Sequence, residues 1–63
     1  MSNFAEPRYL GVRDVAKRLS LSTATIYRFI QHGEFPPALK FGRATRWDVN
    51  MIDDWAAKQA AQV

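Results

Sequence analysis

Apolar residues recur along this chain with a helical period in two neighbouring stretches. Val12, Val15, Ala16 and Leu19 occupy i, i+3, i+4 and i+7, one face of a helix expected over about Val12 to Leu19. Ile26, Phe29 and Ile30 make a second apolar stripe in a helix expected from about Thr23 to His32. At roughly 100° per residue, Ala24, Tyr27, Arg28 and Gln31 lie on the opposite side of that second helix. Between the two come Ser20 at the turn, Leu21 as an apolar plug and Ser22 as a strong N-cap. Ala16 is small enough to let the helices cross closely, and Ile26, ten residues on, points back into the crossing. This spacing of small residue, turn and apolar residue marks a helix-turn-helix. Many such turns place glycine where φ is positive; Ser20 stands there instead, which predicts a slightly strained or differently shaped turn. An ordinary helical hairpin would need only the two apolar stripes. The cap and the polar face of Tyr27, Arg28 and Gln31 favour a helix that enters a DNA groove.

The remaining chain changes period. Gly33 is a natural left-handed helix stop, Phe35 returns to the core, and Pro36-Pro37 forbids helix. Leu39 to Trp47 then reads as a small β-hairpin whose register is open to two arguments. A two-residue turn at Gly42-Arg43 suits type II′ chemistry but pairs Leu39 with Arg46, mixing core with charge. A three-residue loop, Gly42 to Ala44, pairs Leu39 with Trp47 and Phe41 with Thr45 and leaves Lys40 opposite Arg46 outside; this register is favoured. In both, Arg43 sits at the tip with Lys40 and Arg46 flanking it, so the hairpin reads as a basic wing placed to touch backbone or minor groove. Asp48 caps a last helix, about Val49 to Gln59, with Ile52, Trp55 and Ala56 as its buried stripe. Trp47 and Trp55 read as core in preference to stacking platforms. At the other end, residues 1 to 8 read as a flexible arm, and Tyr9 and Leu10 as an extended lead-in tucked against the core.

Composition narrows the chemistry. The 63 residues include no Cys and one His, His32, which leaves no disulfide, no zinc cluster and no pair for nucleophilic catalysis. The carboxylates stand at caps or alone, so neither an enzyme nor a cofactor is expected. Nothing approaches a membrane span or a signal-peptide core, and the expected place is the bacterial cytoplasm, on the nucleoid. Eight of the nine Lys and Arg lie in residues 1 to 47 against three acidic residues, a balance of +5, whereas residues 48 to 63 balance at −2. Excess positive charge on the helix-turn-helix half suits a polyanion binder. Arg13, Lys17 and Arg18 point outward from the first helix, equally suited to phosphate contacts or to solvation.

The order from Tyr9 to Trp55 resembles the AlpA family of prophage regulators and excisionase-like proteins, within the wider MerR-like winged-helix group. The most specific parts are LSLSTATIYRFIQHGEFP, residues 19 to 36, and KFGRATRW, residues 40 to 47. The resemblance implies a mainly α winged helix-turn-helix with a small β-hairpin, and the chain length allows a single domain, expected over residues 9 to 63. It implies DNA contacts from Ser22, Thr23, Thr25, Tyr27 and Arg28 of the second helix and from Arg43 and Arg46 of the wing; Gln31 and Lys40 join them on the residue reading above. Members often carry Arg or Lys where this chain has Ala24. The implied partners are double-stranded DNA, a tyrosine integrase and a second copy of the chain on DNA. The function implied is transcriptional activation or direction of excision. A module docking an integrase through its amphipathic helices is the competing reading, and an exposed apolar patch would favour it.

Overall fold

The computed structural model describes residues 8–61. In chain order these form β1 (Tyr9–Leu10), α1 (Val12–Leu19), α2 (Thr23–Gln31), β2 (Leu39–Phe41), β3 (Ala44–Asp48) and α3 (Val49–Ala61). The three helices and a three-stranded antiparallel sheet of order β1-β3-β2 make a winged helix-turn-helix, the fold class expected. The core is one cluster: Leu10, Val15, Ala16, Ile26, Trp47 and Ile52 are buried, with Val12, Leu19, Phe35 and Val49 packed around them. Every element except the short strand β2 contributes at least one of the six buried side chains, and α1 contributes two. Full burial of Val15, Ile26 and Ile52 is worth about 1.5–3 kcal/mol each before chain entropy is counted.

The turn between α1 and α2 closes by a pattern of two backbone bonds. The amide of Leu21 donates to the Ala16 carbonyl at 2.9 Å and that of Ser20 to Lys17 at 3.1 Å. That closure needs a left-handed residue, and Ser20 supplies it at φ 57°, ψ 39°. α2 ends in the same way one motif later: Glu34 donates to Phe29 at 2.9 Å and Gly33 to Ile30 at 3.0 Å, with Gly33 at φ 70°. Helical geometry stops at Gln31, one residue short of the expected His32, which takes the capping position. One position carries a left-handed serine and the other a left-handed glycine, so opposite substitutions should have opposite signs. Ser20→Gly is expected to stabilise the domain by about 1 kcal/mol, and Gly33→Ala, with nothing within 4 Å to clash, to destabilise it by a similar amount through backbone alone. Thermal melts would show the two midpoints moving apart by several degrees; a shift of both in one direction would contradict the account.

The hairpin register is corrected. Leu39 pairs with Arg46, Lys40 with Thr45 and Phe41 with Ala44, so the turn has two residues, Gly42-Arg43, and Lys40 does not face Arg46. The turn itself decides this. A three-residue loop wants its left-handed residue last, at Ala44, whereas this chain puts its glycine first, and Gly42 takes φ 64°. The objection that Leu39 would mix core with charge falls away because their shared face is the outer one. The inner face belongs to Trp47, which pairs with Leu10 of β1. β1 is thus a strand of the sheet and not a lead-in: Leu10 is buried, but Tyr9 alternates to the outside, contrary to the expectation that both tuck inward.

Four further expectations are adjusted. Leu21 and Ile30 are each 38% exposed, so Leu21 is not a buried plug and Ile30 sits at the edge of its stripe and not in the core. α3 continues two residues past Gln59, to Ala61, while Asp48 caps it as expected, accepting from the Asn50 amide at 2.8 Å. Of the arm expected over residues 1 to 8, residues 1 to 7 lie outside the described residues. Arg8 is fixed: its carbonyl accepts from the Val49 amide at 2.8 Å and its Nε lies 3.2 Å from Asp48.

Candidate nucleic-acid interface

α2 starts where Ser22 turns its hydroxyl inward on the backbone. Ser22 Oγ accepts from the Thr25 amide at 3.1 Å and lies 3.0 Å from Thr25 Oγ1. Both hydroxyls are therefore committed to the cap, and Thr23 and Thr25 are half-buried. The sequence places these three at an interface; the structure gives Ser22 and Thr25 a helix-starting role in addition. The other face of α2 is open. Ala24, Tyr27, Arg28 and Gln31 are all exposed, Tyr27 at 53%. α2 contains no carboxylate. No side chain among the described residues bonds the Arg28 guanidinium, so its donors remain available to a ligand.

The orientation of α2 is set from behind. Ile26 anchors it in the core, and Phe29 packs edge-to-face on Trp55 at 5.2 Å and stacks on Phe35 at 6.4 Å. Two indoles then hold the loop that follows: Trp55 Nε1 donates to the Glu34 carbonyl at 2.7 Å, and Trp47 Nε1 to that of Pro36 at 3.1 Å. Both tryptophans are structural, as their spacing indicated, and the indole donors explain why this core tolerates them.

The hairpin divides the wing cations. Lys40 and Arg43 are exposed, with Arg43 in the turn as expected. Arg46 is half-buried: its Nη1 donates to the Thr45 carbonyl at 2.8 Å and lies against Gly11, where a Cβ would meet it at 3.7 Å. A cleft of about 320 Å³ separates α2 from the wing, with Tyr27 and Ile30 on one wall and Thr45 and Arg46 on the other. The sequence reading missed this cleft because its walls come from three elements; the exposed edge of the apolar stripe at Ile30 is the local sign of it.

Of the α1 cations, Arg13 and Lys17 are exposed. Arg18 is engaged: its Nε lies 2.8 Å from Asp53 Oδ1 and an Nη 2.9 Å from Oδ2, a two-pronged clamp from α1 to α3. The bond from Arg18 holds the Asp53 carboxyl below its ordinary range. Asp53 also lies near the start of α3, where the helix dipole favours a carboxylate, and a partner 35 residues away carries no local signal.

Comparison with known proteins bears on this geometry directly. The model of the helix-turn-helix domain family matches residues 9–60. The chain belongs to that family. The match begins at β1 and runs through the wing into α3, so sheet and closing helix are parts of the helix-turn-helix domain along with the two-helix motif. The uncharacterized protein ORF88 of Enterobacteria phage P4 is 32% identical over 62 residues, covering 97% of this chain and 70% of that protein. Among the described residues the helix-turn-helix domain has no His, Cys, Asp and Glu group able to hold a metal ion, and no helix long and apolar enough to cross a membrane.

Proposed function

We propose that this protein is a sequence-specific binder of double-stranded DNA that regulates a prophage or other mobile element, in the manner of AlpA-type regulators and excisionase-like proteins. The observation that carries this is the exposed face of α2, where Tyr27, Arg28 and Gln31 stand together without a carboxylate and with Arg28 free to bond. α2 enters the major groove, Arg28 and Gln31 face base edges, and Ser22, Thr23 and Thr25 lie where the helix start meets the backbone. Lys40 and Arg43 of the wing take phosphates beyond the groove, with Arg46 held in reserve against Gly11. The similarity to a phage protein supports the mobile-element setting. Within it, the protein either activates transcription or directs a tyrosine integrase toward excision, and copies meet on DNA. The exposed apolar residues Leu21, Ile30 and Met51 are spread over the α1–α2 turn, α2 and α3, which disfavours helix-mediated docking as the main activity.

Selection on randomised duplexes followed by titration at several salt concentrations tests the proposal. A single preferred site is expected, with log affinity falling against log salt at a slope of about −3 or steeper, as three or more phosphate contacts give. Affinity that ignores both sequence and salt would remove the reading.

A further inference from the structure

The face of the sheet turned away from the core carries aromatic side chains that duplex recognition leaves unused. Alternation about the inward Leu10 and Trp47 puts Tyr9, Leu39 and Phe41 on the other side, 41%, 39% and 50% exposed. Tyr9 from β1 and Phe41 from β2 reach across the central strand and meet edge-to-face, their centroids 5.3 Å apart. The charges around this pair are two arginines and one carboxylate, a net positive balance. The Arg8 guanidinium carbon lies 5.6 Å from the centre of the Tyr9 ring, and Arg43 stands in the turn just beyond Phe41. Asp48, the only carboxylate in the three strands, is already held by Arg8.

We infer that this face binds single-stranded nucleic acid, with unpaired bases stacking on Phe41 and Tyr9 and with Arg8 and Arg43 meeting the phosphates. Exposed rings beside guanidinium groups offer what a single strand requires, a flat apolar surface for each base and positive charge for the backbone between. Charge complementarity selects this occupant. A second copy packed face to face would bring Arg8 and Arg43 against their own kind. Three apolar side chains also fall far short of the roughly 800 Å² per partner that a stable protein interface buries. The site lies beyond the duplex-binding reading, since its rings belong to β1 and β2 and not to α2, and only Arg43 is shared between the two.

The test uses the full chain and three labelled probes: a thymidine oligonucleotide, an abasic strand of the same length, and the selected duplex. Phe41→Leu keeps apolar bulk at an exposed position but removes the ring. It is expected to weaken binding to the thymidine strand roughly tenfold and to change binding to the abasic strand and the duplex by less than about twofold. Phe41→Trp should restore the thymidine affinity. Equal wild-type affinity for thymidine and abasic strands would overturn the proposal. So would a Phe41→Leu variant that keeps its strand affinity, which would leave the face to a protein partner. Arg28→Ala separates the two sites, because it should weaken the duplex alone. A wild-type chain that binds strands through Phe41 but no duplex would refute the duplex reading and leave this one standing.

Discussion

Ile26→Ala is expected to leave most of the protein unfolded at 25 °C. Ile26 is fully buried and is the one residue of α2 wholly inside the core that joins α1, the sheet and α3. Truncating such a side chain removes its transfer free energy and leaves a cavity, costing about 2–5 kcal/mol. A domain of this size rests on about 3–5 kcal/mol in all, so the loss is comparable with the whole. Aromatic neighbours cannot slide in to fill the gap, because Phe29, Phe35 and Trp55 are locked to one another and to the 34–36 loop. Ile30→Ala is the control on the same helix; at 38% exposure it should cost well under half as much. Urea titrations followed by far-ultraviolet circular dichroism would rank the two. Equal midpoints would show that α2 is held by something other than its buried face.

The second large effect concerns recognition. Arg28→Ala should lose about 1–3 kcal/mol on the selected duplex and flatten the preference at one base pair. Arg28 has the required freedom: it is exposed, no described side chain bonds it, and the neighbouring Ala24 is too small to block its path to the groove floor. A guanidinium there can donate two parallel bonds to O6 and N7 of guanine. Tyr27→Phe should instead lose affinity evenly across sequences, since the Tyr27 hydroxyl beside the cleft suits a phosphate. Repeating the duplex selection with each variant reads both outcomes. If Arg28→Ala kept the wild-type preference and lowered the salt slope by about one unit, Arg28 would be a phosphate contact and not a base reader.

What the chain announces locally, it announces well. The bounds of α1, the Ser22 cap, the Gly33 stop and the Asp48 cap are each fixed by residues within one helical turn, and all four stand as read. The exposed face of α2 was legible for the same reason, because helical period alone assigns Tyr27, Arg28 and Gln31 to the side opposite Ile26. At Ser20 the sequence left a slightly strained and a differently shaped turn both open, and the structure takes the first, with Ser20 left-handed.

The errors lie where two distant segments had to choose each other. Hairpin register was argued from which face Leu39 should bury, yet that face was decided by β1, a two-residue strand too short to carry a period of its own. Once Leu10 takes the inner side of β3 opposite Trp47, Leu39 and Phe41 are left on the outside, and the exposed aromatic pair follows. The clamp from Arg18 to Asp53 and the indole bonds to Glu34 and Pro36 likewise join segments 11 to 35 residues apart. By itself the sequence determined helices, caps and the polar face of α2, because backbone sterics and side-chain period act over a few residues. Only the tertiary structure decided which face of the sheet is buried, the engagement of Arg18 and Arg46 and the open aromatic face, because those depend on which surfaces the core had already claimed.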